Sequence, residues 1–484
     1  MKPEDIYDGI TNIRDDLVDG AKKGAKSRKK RWYGAVAAAV TLAILGGIAL
    51  RPGGGLTTSA YAIAEAEYPQ MAPYPDESEY TKANGELDDS FYEAYDAWRD
   101  SVQAQRRELG DDIFSLQDFF ARSAPAFLSE SSGENRVYSP LNLYMALCML
   151  SELTGGNSRE QILTLLGSDS VEALRKQAGD VWNANYRSDG ATTSVMANSL
   201  WLNERVSFVR KTMDTLAQSY YASSYRGEMG SEGFNKALQG WLKEQTGGLL
   251  DEAAESIELT PDTIMALAST LYFRDKWTSE FMESFTEKDT FHSPNRDVEC
   301  DFMHQGGSDT YYWGEKFAAV CKGFEGDGEM WFLLPDEGVS PEELLTDGET
   351  LDFLFSQGGR WEWENQKHLI VNKAIPKFDV SSQMELREGL QELGVTDVFD
   401  PGAADFSPMT DEVQGGYLSK ATHAARVAID EEGCVATAFT VMARSGATMP
   451  PEEEVDFVLD RPFLFCITGE SGLPLFVGIV NQPG

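Results

Sequence analysis

The feature that most limits what this chain can become is an uncharged run near its N-terminus, YGAVAAAVTLAILGGIAL, residues 33 to 50. At a helical rise of about 1.5 Å such a run spans roughly 27 Å, enough to cross a hydrocarbon core. Just ahead of it, Lys22 to Arg31 holds seven Lys/Arg and no acid, followed by Trp32 and Tyr33. A basic flank with interfacial aromatics sets the N-terminus in the cytoplasm, so everything after Arg51 is expected outside the cell, on a single-pass membrane protein. The rival reading is a cleaved leader ending near Ala60-Tyr61-Ala62, against which stands the length of the segment before the apolar run.

The expected division is a cytoplasmic basic segment over 1–31, a transmembrane helix over 32–50, an acidic flexible linker over 51–110 and a folded domain over 111–484. The linker reading rests on charge. From Ile63 to Asp96 there are ten Asp/Glu against one Lys, with few aliphatic residues to offset chain entropy. The stretch from Asp89 to Leu109 reads as a helix at its end. A net charge of −38 repels phosphate backbones, so nucleic acid is excluded as a partner. The cysteines, Cys148, Cys300, Cys321, Cys434 and Cys466, are odd in number and never in CxxC spacing, and His292, His304, His368 and His423 show no HExxH. Neither a disulfide framework nor a metal site is signalled, and no cofactor is expected.

Beyond Asp111, amphipathic helical patterns alternate with β-branched and aromatic runs. LYMALCMLSEL (143–153) and ELREGLQELG (385–394) carry helical spacing, whereas HLIVNKAI (368–375), FLFCIT (463–468) and PLFVGIV (474–480) read as strands. Without a regular βαβ rhythm or an internal repeat, this pattern argues for an α+β domain with large, mainly antiparallel sheets. No GxSxG occurs and nothing pairs a nucleophile with a base, so the chain is not read as an enzyme. Gly469 to Gly472 reads as a turn between the two closing strands.

The stretch DEEGCVATAFTVMARSGATMPPEEE (430–454) changes character midway. As a strand, Cys434, Ala436, Ala438 and Thr440 share one face, and Val435, Thr437, Phe439 and Val441 the other. After Val441 the residues are polar, and Pro450 and Pro451 favour an exposed loop. On spacing alone, this is a strand followed by a surface loop.

From about residue 112 onward the chain resembles the serpin family. The resemblance is carried in order by YSPLNLYMALCMLSELTGGNSREQIL (138–163), ANSLWLNE (197–204), WLKEQTGGLL (241–250), LYFRDKWTSEF (271–281), FMHQ (302–305), IPKFDV (375–380), LGVTDVFDPGAADFSPMT (393–410), DEEG (430–433) and DRPFLFCI (460–467). It implies a metastable α+β fold with three β-sheets, about nine helices and an exposed reactive-centre loop. It also implies a single-use inhibitor of serine proteases, whose cleaved loop inserts into the central sheet and carries the acylated protease with it. The preceding anchor and tether resemble those of bacterial membrane-anchored members.

The resemblance further implies the roles of particular residues. Glu431, Glu432 and Gly433 close a strand, and Cys434, Val435, Ala436, Thr437 and Ala438 form the hinge with them. The family usually has threonine or serine where Cys434 stands, and oxidation would enlarge the thiol. Counting as inhibitory members do, the reactive bond is Ala447–Thr448, suited to an elastase-like or subtilisin-like protease. Arg444–Ser445, suited to a trypsin-like one, is the alternative, and Met442–Ala443 a third; against the family, EEEVDFVLD (452–460) reads as an insertion that lengthens the loop before Arg461-Pro462. Ser139, Asn142, Ser269 and His423 fall in the family's shutter, with Asn142 and Ser269 exchanging the customary serine and asparagine. Trp277 falls in the breach, where insertion starts. The serpin domain is expected to be monomeric, and a non-inhibitory binding module is the competing function.

Overall fold

The helix Pro140–Leu153 shows how sequence sets the core. Ser139 caps it, its hydroxyl accepting from the Asn142 N–H at 3.3 Å, and proline occupies the first turn. Both devices are favoured where a helix must begin. All but one of its residues are buried, as expected of a helix apolar around its whole circumference. It packs on the strand Met265–Lys276 of one sheet and on Pro474–Val480 of another.

A computed structural model describes residues 60–82, 86–105, 114–355, 363–410, 412, 416–434 and 453–483. The first sheet runs Ala62–Ala64, Ala222–Gly227, Thr193–Asn203, Met265–Lys276, Gly433–Cys434, Thr422–Ile429, Phe378–Glu385, with Arg187–Ser188 beside Thr193–Asn203. The second runs Glu454–Val458, Gln366–Pro376, Asp297–Trp313, Phe317–Gly323, Glu329–Pro335, Phe463–Thr468, Pro474–Val480, Arg136–Tyr138, with Thr286–His292 beside Asp297–Trp313. Pairing is antiparallel except where Thr193–Asn203 meets Ala222–Gly227 and where Gln366–Pro376 meets Glu454–Val458.

The expectation of three sheets is corrected to two among the described residues. Asp297–Trp313 is long enough to pair with Thr286–His292 at its start, with Gln366–Pro376 along its middle and with Phe317–Gly323 at its end. It thereby joins two sheets into one. Among the described residues there are twelve α-helices rather than about nine, two of them, Glu77–Tyr80 and Asp89–Gln105, ahead of the body.

The flexible-linker expectation is also corrected over the described part of 51–110. Ala62–Ala64 adds a strand to the edge strand Ala222–Gly227. Tyr61 packs against Phe234 with ring centroids 5.0 Å apart, and Phe91 and Trp98 of the helix Asp89–Gln105 are buried. The acids that suggested a solvated spacer are interleaved with tyrosine, phenylalanine and tryptophan, and a buried aromatic such as Phe91 or Trp98 removes roughly 150–250 Å² of surface from water. No helix among the described residues is long and apolar enough to cross a membrane; the run 33–50 lies outside them.

Candidate functional site

In the first sheet, Met265–Lys276 and Thr422–Ile429 are joined through a strand of only two residues. Gly433 pairs with Lys276, Cys434 with Asp275, and Cys434 also with Ile429, antiparallel to both neighbours. The close approach demands glycine: a Cβ on Gly433 would sit 2.3 Å from the Asp275 carbonyl oxygen and 2.8 Å from Lys276 Cα. The preceding turn supports itself. The Asp430 carboxylate accepts from the N–H groups of Glu432 at 3.0 Å and Gly433 at 3.2 Å, and the Asp430 N–H donates to the Gly433 carbonyl at 3.0 Å.

Cys434 lies within the core, 3% exposed. Burial pushes its thiol well above the usual range, and the carboxylates of Asp275 and Asp430 add to the effect. A protonated, shielded sulfur is a poor target for oxidation, so the enlargement feared at this position is disfavoured while the strand is in place.

Trp277, the residue after Met265–Lys276, is tied to the turn that precedes Gly433. Its backbone N–H donates to Glu432 O at 3.0 Å, its indole donates to Asp430 O at 2.9 Å, and its ring stacks on Phe324 with centroids 4.6 Å apart. Lys322 Nζ lies 4.1 Å from the Phe281 ring centroid and 5.4 Å from that of Trp277. Burial, reinforced by nearby Lys373, pulls the Lys322 amine down to about 7. Glu431 is held on two sides, by Lys377 Nζ at 2.7 Å and by the Thr286 hydroxyl at 2.8 Å. Sequence reasoning missed Lys322, Lys377 and Thr286. Lys377 stands inside the IPKFDV match, but nothing local ties it to an acid 54 residues away.

Ser139, Asn142, Ser269 and His423 are brought together by hydrogen bonds, in two linked halves. His423 Nε2 accepts from the Ser139 N–H at 3.0 Å; burial alone pulls the ring down to about 4, keeping it neutral and able to accept. Asn142 donates through Nδ2 to Ser269 O at 3.2 Å and accepts from the Ser269 hydroxyl. Ser269 Oγ also lies 2.7 Å from Asn198 Oδ1, and Asn198 Nδ2 donates to Tyr220 O at 2.9 Å. The exchanged amide and hydroxyl thus satisfy each other, with Asn198 as an unforeseen third member. His423 meets Ser139 rather than Asn142 or Ser269.

Val435, Ala436, Thr437 and Ala438 of the expected hinge, the bond Ala447–Thr448 and its alternatives Arg444–Ser445 and Met442–Ala443 lie outside the described residues. The chain is described again from Glu453. Glu454–Val458, which the sequence suggested was inserted loop, is a strand parallel to Gln366–Pro376.

Comparison with known proteins bears on the whole arrangement. A family signature described as Serpin (serine protease inhibitor) matches residues 115–483. The chain is 28% identical over 386 residues to alpha-1-antiproteinase 2 of Equus caballus, covering 78% of this chain and 86% of that one. Among solved structures it superposes on the thermophilic serpin tengpin in its native state with a TM-score of 0.68, at 24% identity, covering 78% of this chain and 96% of that one. It superposes on a thyroxine-binding globulin complex with thyroxine with a TM-score of 0.63, at 22% identity, covering 76% and 99%.

Proposed function

For a chain that belongs to the serpin family, we propose the work of a single-use inhibitor that traps a serine protease by inserting its cleaved loop between Met265–Lys276 and Thr422–Ile429. The observation that carries this reading is the two-residue strand Gly433–Cys434, paired on both sides in the antiparallel sense that an inserted strand requires.

Continued in step, its two ladders set Ala436 between Phe273 and Val427, Ala438 between Leu271 and Ala425, and Thr440 between Ser269 and His423. Phe273, Val427, Ala425 and His423 are buried. The small residues of the alternation therefore fall on the core side, where bulk or charge is costly. From Cys434 to Ala447 the inserted strand spans roughly 46 Å at about 3.3 Å per residue. We assign Ala447–Thr448 as the reactive bond, hence an elastase-like or subtilisin-like target, and the run 32–50 as the anchor that displays the domain outside a cell membrane.

The second reading, a non-inhibitory binding module, is favoured by a cavity of about 540 Å³ whose lining includes Gln305, Lys322, Trp331 and Lys373. A protein that carries thyroxine shares the fold.

The deciding experiment incubates the protein with elastase-like, subtilisin-like and trypsin-like proteases, collects adducts that survive detergent and sequences the released peptide. A peptide beginning at Thr448 supports the assignment, and one beginning at Ser445 moves the bond to Arg444. Cleavage with neither an adduct nor a rise in melting temperature overturns the inhibitor reading.

A further inference from the structure

Residues 60–82 and 86–105 reach Asp275, the ladder partner of Cys434, through a set of buried polar contacts. The first part lies along the sheet edge: the Arg226 N–H donates to Tyr61 O at 2.8 Å, the Ala66 N–H donates to Ser223 Oγ at 3.1 Å, and Tyr68 packs among Trp182, Tyr186 and Tyr221. The chain then turns, the Tyr74 N–H donating to Asp189 O at 2.8 Å, and the helix Asp89–Gln105 delivers Trp98. The Trp98 indole donates to Asp189 Oδ2 at 2.9 Å, and the Arg187 guanidinium lies 5.2 Å from the Trp98 ring centroid.

Arg187 and Asp189 are 5% and 3% exposed, so each depends on its partners for solvation. Arg187 Nε pairs with Asp189 at 2.9 Å. Its Nη1 crosses to the second sheet, 3.3 Å from Glu470 Oε2 and 3.3 Å from Gly326 O. The Thr192 hydroxyl and the Gly326 N–H then close on the Asp275 carboxylate at 3.2 Å and 3.1 Å. A Cβ on Gly326 would lie 2.4 Å from that carboxylate, so the turn fits around it. Asp275 is the ladder partner of Cys434.

We propose that the docked residues 60–82 and 86–105 form a brake on loop insertion. Trp98 secures the Asp189–Arg187 pair that clasps the first sheet to the turns at Gly326 and Glu470 of the second. The proposal rests on the inhibitor reading. An inserting strand must part Met265–Lys276 from Thr422–Ile429 along their length. The strands outward from Met265–Lys276, to which Ala62–Ala64 is added, then shift by up to one strand spacing, about 4.7 Å. A shift on that scale breaks hydrogen bonds of about 3 Å, and a group that binds one arrangement preferentially holds the protein in it. Releasing the tether, by a cut within it or by a pull from its N-terminal side, loosens the clasp and quickens the trap.

The test uses the full chain in detergent and follows conversion of loop-cleaved protein to its heat-resistant form over time. Trp98→Phe keeps an aromatic ring and removes the N–H donor; Glu470→Gln weakens the far end of the clasp; Tyr92→Ala, at an exposed site on the same helix, is the control. The expected result is conversion about tenfold faster for Trp98→Phe, the scale of one charge-assisted hydrogen bond lost before the barrier. Glu470→Gln should be similarly faster, the double variant little faster than either single one, and Tyr92→Ala unchanged, with all inserted forms melting alike. Rates for both clasp variants within twofold of the parent overturn the brake. If one variant fails to fold, the other decides. If the parent protein never converts after cleavage, it is the inhibitor reading that falls, so the two failures are distinct.

Discussion

Lys377 Nζ lies 2.7 Å from Glu431 Oε2, tying the turn that ends at Gly433 to the start of the strand Phe378–Glu385. Burial by itself would raise the Glu431 carboxyl, but the hydrogen bonds from Lys377, its own backbone and Thr286 overcome this and leave it below the usual range. A carboxyl lowered in the folded state contributes stability that is present above its unfolded value and is lost as pH falls through the folded one. Glu431→Lys sets two ammonium groups together and deprives the Thr286 hydroxyl of its acceptor. Because Lys377 is partly exposed, the expected cost is about 1–3 kcal/mol, between the values for exposed and buried pairs. Glu431→Gln should cost less, because it still accepts from Thr286. Urea denaturation at neutral pH measures both, and equal stability for Glu431→Lys and the parent would remove the pair from the account.

His423 makes stability depend on pH. Its ring titrates near 4 when folded and near 6.5 when unfolded, so the unfolded chain binds the extra proton between those values. Stability from this group is complete above pH 6.5 and lost as pH falls toward 4, by about 3 kcal/mol in all. Asp275 works the other way. Burial raises it to about 7, and its contribution, present below its unfolded value, is lost as pH rises through 7. The measurement is therefore a difference: denaturation of the parent minus that of His423→Gln, from pH 4 to pH 7. The difference should slope upward with pH, and a flat difference would mean that the ring is solvated.

Ser269 and Asn142 stand or fall together. Removing the hydroxyl with Ser269→Ala takes a donor from Asn142 Oδ1 and leaves Asn198 Oδ1, which lies 2.7 Å from Ser269 Oγ, without its contact. Both asparagines are buried. The expected loss is about 1–3 kcal/mol, the cost of stranding a buried polar atom. Restoring the more usual family order with Asn142→Ser and Ser269→Asn together should recover most of it, whereas either change alone should not. Thermal melts of the three variants provide the comparison.

How much of this was legible in the sequence depended on the distance over which each signal acts. Gly433, Cys434 and Trp277 stand in or beside the short motifs DEEG and LYFRDKWTSEF that carry the resemblance, and the structure brings those motifs together, with Gly433 paired to Lys276 and the Trp277 indole bonded to Asp430. Asn198 lay inside the ANSLWLNE match, yet its partnership with Ser269 crosses 71 positions. Glu454–Val458 pairs as a strand although the family comparison marks it as inserted loop; Val455 and Phe457 alternate with acids in strand fashion, a local signal that the comparison overrides. In the segment 60–105, counting acids concealed aromatics spaced to reach Phe234, Trp182 and Asp189. Charge density predicts solvation only where no apolar surface awaits the intervening rings.

The alternation from Cys434 to Ala438 leads to the sharpest prediction, because the two sides of one strand should respond oppositely. In the projected register Ala438 enters the core between Leu271 and Ala425, whereas Thr437 faces outward beside Tyr272 and Arg426, both partly exposed. Ala438→Glu buries a charge with no partner in its ladder, so insertion slows until the acyl-enzyme hydrolyses and the protease escapes. The number of inhibitor molecules consumed per protease inactivated should rise by about tenfold or more, the factor that each 1.4 kcal/mol on the insertion barrier produces. Thr437→Gln, one position away, should leave that number within about twofold. Titration of a susceptible protease with each variant reads the ratio directly. Equal behaviour of the two variants would mean that the ladder begun by Gly433 and Cys434 is not the one the loop follows.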